Sequence, residues 1–270
     1  MNMIYVQKLN GEKQAFSEQK LTRSLERAGA SKELSSQILL KIKKSLYDGI
    51  STREIFTLAF REFKKNAPME APRYDLKNSL MRLGLTGFPF EDFIAKVLER
   101  KGYKTKLNQI IKGKFVQHEI DVSAIKNNEK LLVEAKHHAK AWIYVNIQTA
   151  LYVYARFLDL EKTFNEVMLA TNTKFSNQVI QYAEGVGIKL MGWSYPKGES
   201  LENNIEKFKL YPITMIPSLD KKTIDICLKN KLLLIEQLVE LNEDKISRLF
   251  KIDQARAMKI LEQAKILCYK

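Results

Sequence analysis

His118-Glu119-Ile120-Asp121-Val122 and Leu131-Leu132-Val133-Glu134-Ala135-Lys136-His137-His138 are two extended runs on either side of a turn signal at Asn127-Asn128. Across such a turn they can pair as antiparallel strands. Strand side chains alternate between faces, so Glu134 and Lys136 share one, as do Glu119 and Asp121. Pairing then brings Asp121 beside Glu134 and gathers two carboxylates and an ammonium at one end of the hairpin. Carboxylate oxygens are hard ligands that suit Mg²⁺, which takes one or two of them and keeps several waters. A neighbouring lysine can orient a water and stabilise charge developing on a phosphate. Glu-x-Lys also occurs at Glu18, Glu62, Glu99 and Glu243, but only the Glu134 copy ends an apolar strand with an acidic strand upstream. The competing reading, an ordinary cross-strand salt bridge, stands beside the metal site at this point.

The three histidines of the chain, His118, His137 and His138, flank these strands. Adjacent histidines in a strand point to opposite faces, which argues against a zinc centre and for contacts to phosphate or to the carboxylates. His118 falls on the face opposite Asp121, so a structural role is expected for it. Aromatic residues Trp142, Tyr144, Tyr152 and Tyr154 could stack on bases, but the spacing of Tyr152 and Tyr154 excludes one helical face, and core packing is expected for most of them.

Outward from the hairpin, helices alternate with short apolar strands. Phe90–Lys101 is helical, with Phe90, Phe93, Ile94, Val97 and Leu98 on one face, and the chain is extended from Gly102-Tyr103 to about Ile125. Lys130–Ala135 and Val167–Thr171 are strands, Val145–Leu158 and Phe175–Glu184 helices, and Ile188–Trp193 a last short strand. That alternation predicts a layered α/β domain over residues 88–200. Before it, Leu83-Gly84-Leu85-Thr86-Gly87-Phe88-Pro89 is a breaker cluster that closes a mostly helical first domain, residues 1–87. That domain opens with a hairpin turning at Asn10-Gly11, followed by helices at Ser17–Ala28, Ser31–Tyr47, Thr52–Asn66 and Tyr74–Leu83. Ser17 is placed as an N-cap, and Ser51-Thr52-Arg53-Glu54 has capping-box spacing. Residues 201–270 form a helical C-terminal module, with helices at Leu232–Leu241 and Asp253–Leu267 around Asp244–Phe250.

Composition narrows the partners. Lys and Arg number 45 against 31 Asp and Glu, a net charge of +14, and the pI is about 9.5. Residues 101–140 hold nine lysines against four acids, a local excess of +5. A polyanion is the expected partner, nucleic acid ahead of an anionic membrane surface. The longest uncharged stretch, Ala141–Ala155, is 15 residues, shorter than the roughly 20 that a membrane span needs. The start carries no signal-peptide core. Cys227 and Cys268 are far apart and lack CxxC spacing, which excludes a disulfide framework and a thiolate zinc site. A reduced, cytoplasmic protein with no membrane partner is expected.

Phe90-Glu91-x-Phe, Gly102-Tyr103, HEIDV and VEAKHH together resemble the Mrr-like branch of the PD-(D/E)XK restriction-endonuclease superfamily. ALYVYARF, TNTKFS and GW-x-YP extend the resemblance through most of residues 88–217. It implies an α/β nuclease fold in which Asp121, Glu134 and Lys136 are the catalytic trio. Glu91 would be an accessory acid and Gln148 a further contact. Many Mrr-like proteins carry Gln where this chain has Glu134, but glutamate is the commoner arrangement in the superfamily. The first domain resembles an ATP-cone, the nucleotide-binding regulatory domain of ribonucleotide reductases and their repressor. Val6-Gln7-Lys8-Leu9-Asn10-Gly11, Phe16, Lys20 and Ser51-Thr52 carry that likeness. It implies ATP or dATP contacts from Lys8, Lys20 and Thr52, with Leu9 in place of an arginine that would clamp phosphate. The last module faintly resembles a helix-hairpin-helix unit, although residues 201–270 contain no glycine.

The combined expectation is a Mg²⁺-dependent DNA endonuclease, with Mn²⁺ as a substitute metal. Asp121, Glu134 and the Ala135 carbonyl would hold the metal, and Lys136 would position the attacking water. Nucleotide is expected at the first domain and a homodimer for cutting two strands. Two alternatives remain: a nucleotide-sensing DNA-binding regulator on a silent nuclease fold, and an interaction protein whose basic surface serves solubility.

Overall fold

The computed structural model describes residues 3–8, 11–84 and 90–269. Leu9, Asn10 and most of the breaker cluster before Phe90 lie outside them. The chain forms two compact units: residues 1–79 with 214–224 and 235–270, and residues 80–213 with 225–234.

In the first unit, β1 (Tyr5–Gln7) pairs antiparallel with β2 (Lys13–Ala15), Val6 opposite Gln14. The helices α1 (Glu18–Arg27), α2 (Lys32–Lys43) and α3 (Thr52–Asn66) each start at a serine. Ser17, Ser31 and Ser51 accept the N–H groups of Lys20, Leu34 and Glu54, donors that a helix start otherwise leaves unmet. Leu25, Ile38, Ile42, Ala59 and Phe63 form the core with Val6. The second helix stops at Lys43, short of the expected Tyr47, because the chain turns through Gly49 at φ 86°. There Gly49 N–H donates to Tyr5 O at 2.8 Å and ties the turn to β1. The helix expected from Tyr74 is two pieces, α4 (Ala71–Tyr74) and α5 (Leu76–Gly84).

The first helix wholly within the second unit is α6 (Phe90–Arg100), and the unit is built on a five-stranded mixed sheet. Its strands are β3 (Lys104–Lys112), β4 (Gln117–Lys126), β5 (Glu129–Lys136), β7 (Glu166–Thr171) and β9 (Lys189–Met191), in that spatial order. The first three are antiparallel and the last three parallel. A separate parallel pair joins β6 (Tyr144–Val145) to β8 (Lys174–Phe175). The crossovers carry α7 (Ile147–Asp159) and α8 (Asn177–Val186), and α9 (Leu201–Phe208) follows the last strand. Leu132, Val167 and Leu169 bury against Val153, Val179 and Ala183 of α7 and α8. Leu131 and Val133 alternate with Leu132 and are also buried, facing the layer of α6, which lies against β3, β4 and β5. The result is the expected layered α/β nuclease-like architecture, with helices flanking a central sheet.

The single extended stretch expected up to Ile125 is in fact a hairpin, β3 and β4, reversing at Gly113–Val116. The turn is held from a distance by Asp159 at the end of α7, whose carboxylate accepts Phe115 N–H at 2.8 Å and Val116 N–H at 3.3 Å. The helix expected at Phe175 starts at Asn177, since Phe175 belongs to β8. The last stretch adds α10 (Lys221–Lys229), α11 (Ile235–Val239), α12 (Glu243–Phe250) and α13 (Gln254–Tyr269). The turn between α12 and α13 uses Lys251 at φ 54°, a left-handed position that glycine more often fills.

Candidate active site

The β4–β5 ladder runs from the turn up to Val122 opposite Val133 and stops there. At the next residue, Asp121 Oδ2 accepts Ala135 N–H at 2.8 Å, so a side chain replaces the ladder bond. On the other flank, Asn108 lies opposite Asp121 by register and sits at φ 49°. β4 is kinked here: Ile120 joins the same core as Leu132, although Leu132 pairs with Ser123, three residues away. An irregularity of this kind re-aims a side chain at the end of a paired segment. The residue it re-aims is Asp121. A strand residue sends its N–H and C=O to the same edge, so the Ala135 carbonyl is turned towards Asp121 as well.

Glu134, on the helix-facing side of β5, is ion-paired with Arg156 of α7, Nη1 to Oε2 2.5 Å. The same guanidinium donates to the Tyr152 hydroxyl one helical turn earlier. Lys136 shares the face of Glu134 and is exposed. The backbone that carries it is pinned from β7: Thr171 Oγ1 donates to Lys136 O at 2.7 Å. Asn172 Oδ1 accepts His138 N–H at 2.8 Å, and its Nδ2 donates to His138 O at 2.8 Å.

Electrostatically the site is acidic and strained. Burial raises Asp121, against the Ala135 N–H bond and the positive charges of Arg156 and Lys136. Glu134 is raised by burial and by Asp121, with Arg156 and Lys136 opposing. Glu91, in the first turn of α6, is also raised, by burial first and by repulsion from Asp121 and Glu119. His137 and His138 are pushed down by burial and so stay neutral at physiological pH. Among the described residues, buried side-chain atoms without a partner are Glu91 Oε2, His137 Nε2, His138 Nε2, Arg156 Nε and, elsewhere, Ser35 Oγ. Unmet polar capacity is costly, and its concentration here marks a place built for something that is not protein. No three His, Cys, Asp or Glu side chains converge as a cage among the described residues. Two carboxylates, a carbonyl and water suffice for Mg²⁺, so the donor set fits a hard divalent cation.

The first unit holds a cavity of about 260 Å³ lined by Val6, Phe16, Lys20, Thr52, Phe56 and Tyr74 among others. Lys20 brings a cation to its lining, Thr52 and Ser17 bring hydroxyls, and the aromatic rings bring apolar surface. Lys8 does not line it and pairs instead with Glu12 at 3.0 Å.

An uncharacterized protein of Archaeoglobus fulgidus is 39% identical over 173 residues, which are 64% of this chain and 98% of that protein. The crystal structure of AF1548, a protein of unknown function, overlays with a TM-score of 0.57 at 37% identity, across 66% of this chain and 96% of that one. The chain belongs to the AF1548 family. The AF1548-like C-terminal model matches residues 211–268, the restriction endonuclease model 83–193 and the ATP cone domain model 4–77. This AF1548-family chain therefore carries an ATP cone match ahead of a restriction endonuclease match. Can2 from Sulfobacillus thermosulfidooxidans, solved with cyclic tetra-adenylate, aligns over 74% of this chain and 64% of its own at 14% identity. Its TM-score of 0.35 is too low to carry structural inference.

Of the residues singled out in the sequence, Asp121, Glu134, Ala135 and Lys136 are brought together, and Glu91 feels the charge of Asp121. Gln148 is exposed at the start of α7, two turns before Arg156 on the same helical stripe. Among the nucleotide candidates, Lys20 and Thr52 share a cavity that Lys8 does not reach. His118 pairs with Asp159 at 2.7 Å, at the foot of the β3–β4 hairpin. The expected burial of the aromatic cluster is corrected: Trp142, Tyr144 and Tyr152 are exposed, and Tyr154 alone joins the core, because α7 buries the face that carries Ala150 and Val153. Arg156, Thr171 and Asn172 escaped the sequence reading. The signal for Arg156 was the polar stripe Gln148-Tyr152-Arg156, spaced by four along an otherwise apolar helix.

Proposed function

We propose that this protein is a divalent-metal-dependent DNA endonuclease that hydrolyses phosphodiester bonds at Asp121, Glu134 and Lys136. The observation that carries the reading is the pair of half-buried carboxylates on neighbouring strands, both raised in pKa by burial, with an exposed lysine on the face of one of them. Arg156 answers only one of the two carboxylate charges and Asp121 has only the Ala135 N–H, so a cation joining the pair would relieve their repulsion. Asp121, Glu134 and the Ala135 carbonyl would hold that cation, Mg²⁺ or Mn²⁺. When bound, it would supply positive charge to a phosphoryl oxygen and favour ionisation of the attacking water. Ala135 N–H keeps Asp121 aligned, and Arg156 orients Glu134. Lys136, anchored through its carbonyl by Thr171, would position the attacking water and stabilise the developing negative charge. Glu91 serves as an accessory acid, and Gln148 offers an amide to the DNA backbone.

The restriction endonuclease family match and the lysine-rich stretch around the hairpin support DNA as the substrate. The ATP cone match and the cavity with Lys20 and Thr52 support nucleotide regulation by ATP or dATP. We place the domains at 1–87, 88–200 and 201–270, the last a helix-hairpin-helix-like module, and the protein in the cytoplasm as a homodimer, since two strands need two centres. The test is cleavage of plasmid and branched DNA with Mg²⁺, with Mn²⁺ and with chelator. Cleavage that needs metal and is lost in Asp121→Ala and in Lys136→Ala upholds the reading. Metal-dependent cleavage that survives both substitutions sinks it, and DNA binding with no cleavage in either metal favours the DNA-binding regulator.

A further inference from the structure

The stretch between β5 and the middle of α7 carries three exposed aromatic rings. Trp142 is 40% exposed, Tyr144 39% and Tyr152 56%. Each has a cation over its ring: Lys140 Nζ lies 5.6 Å from the centroid of Trp142, Lys174 Nζ 5.9 Å from Tyr144, and the Arg156 guanidinium 4.6 Å from Tyr152. Two of these rings sit on regular elements, Tyr144 in a strand and Tyr152 in α7, and Trp142 lies in the turn before them. Tyr144 lies in β6, directly opposite Lys174 in β8, and Ser176 N–H donates to Val145 O at 3.1 Å. Tyr152 is joined to the active site, since Arg156 bonds both its hydroxyl and Glu134, and Trp142 and Tyr144 precede it in the segment that leads from β5 into α7.

Arg156 is enclosed and paired with Glu134, but Lys140 and Lys174 are exposed, and rings interleaved with these lysines suit a partner that is both planar and anionic. Duplex DNA supplies the charge but hides its base faces inside the stack and shows only base edges in its grooves. Unpaired bases show their faces, and stacking on an aromatic side chain tolerates any sequence. A second copy of this chain would set like charges against one another, and an apolar protein patch would leave the lysines uncompensated.

We infer that the Trp142–Tyr144–Tyr152 strip binds unpaired bases of a single-stranded DNA segment beside the scissile phosphate. The preferred substrate is then single-stranded, forked or flapped DNA rather than plain duplex. The position of the cut rests on the nuclease reading above; the binding does not.

The test is binding in chelator, without cleavage, of four probes of equal length: oligo-dT, a blunt duplex, a fork and a single-stranded RNA. Oligo-dT and the fork should bind about 10-fold tighter than the duplex. Trp142→Ala and Tyr144→Ala should each weaken oligo-dT binding about 10-fold and leave duplex binding unchanged, while Trp142→Phe and Tyr144→Phe keep most of it. The unmodified protein gives a readout that needs no variant. It has two tryptophans, and the other, Trp193, is buried, so stacked bases should quench its exposed-tryptophan emission. Equal affinity for duplex and single strand, a uniform loss for all probes, absence of quenching, or tighter binding of RNA would overturn the inference. Quenching and single-strand preference without any cleavage in Mg²⁺ or Mn²⁺ would uphold it while defeating the nuclease reading. Cleavage of duplex with no preference among the probes would do the reverse.

Discussion

Arg156 Nη1 meets Glu134 Oε2 at 2.5 Å with both side chains nearly enclosed, 10% and 12% exposed. One guanidinium thus fastens α7 to the end of β5, and through Tyr152 it also fastens the helix to itself. Replacing it with an apolar side chain leaves Glu134 charged, buried and beside Asp121. Arg156→Met should lower unfolding stability by about 3 kcal/mol in chelator, the scale for stripping one partner from a buried pair. Lysine cannot reach two acceptors from one planar fork, so Arg156→Lys should recover only part of it. Urea unfolding at neutral pH measures both, and the double variant Arg156→Met/Glu134→Met should return close to the parent.

Glu91 offers the opposite case, a carboxylate whose removal helps. Its Oε2 is buried without a partner, and its pKa is raised by burial and by the charges of Asp121 and Glu119. Because the folded-state pKa exceeds the unfolded one, its favourable contribution is complete below the ordinary glutamate pKa of about 4.3. It is lost as pH rises through the folded value. Glu91→Gln should therefore be neutral in acid and more stable than the parent at pH 8 in chelator. Paired melts at pH 4 and pH 8 check the sign; an equal difference at both would mean that its charge is not the cause.

Asn172 tests whether Lys136 is held by its own strand or by the neighbour. The amide makes two bonds to the His138 backbone, and Thr171 adds one to Lys136 O, all from residues with no exposed surface. Asn172→Ala strands a buried N–H and a buried C=O, a cost of about 1–3 kcal/mol for each left unmet. On the nuclease reading it should also lower kcat with little change in KM, since it moves Lys136 and not the DNA-binding surface. Thr171→Val removes the single bond and should show a smaller loss of the same kind.

How much of this was legible follows from range. The hairpin of Asp121 and Glu134 could be read because alternation and one turn signal lie within twenty or so residues. The serine caps at Ser17 and Ser51 were legible for the same reason: a cap contacts a residue three positions on. The β3–β4 reversal was not, since Lys112-Gly113-Lys114-Phe115 is a weak turn signal and its holder, Asp159, is 44 residues beyond Phe115. Arg156 and Asn172 were hidden likewise, as each acts across the sheet on a residue 22 or 34 positions away. The aromatic strip was misread because helical spacing fixes which rings share a face but not which face the core will take.

Gly113 gives that long-range turn a sharp test. A Cβ there would stand 2.8 Å from Asp159 Cγ and closer still to its Oδ2. Gly113→Ala must push the carboxylate off Phe115, Val116 and His118 together. The melting temperature should fall, and Asp159→Ala, which loses the same bonds without the clash, should fall too. Added to Asp159→Ala, Gly113→Ala should cost less than it does alone, because the side-chain collision is gone and only the backbone carbonyl of residue 159, 3.0 Å from that Cβ, remains.

The cavity of the first unit separates two lysines that the sequence placed together. Lys20 lines it beside Thr52, whereas Lys8 is committed to Glu12 and lies outside. If the cavity takes ATP, ligand binding raises the melting temperature in proportion to occupancy. Lys20→Ala should abolish that rise and Lys8→Ala should leave it intact. Phe56→Ala should weaken it, because the ring is part of the apolar lining on which a base can pack. With Lys20 the one cationic residue among those that line the cavity, AMP and ATP should bind within a few-fold of each other. A strong preference for the triphosphate would mean that cations outside the cavity lining reach the phosphates. Calorimetric titration of the full chain with each nucleotide decides between these outcomes.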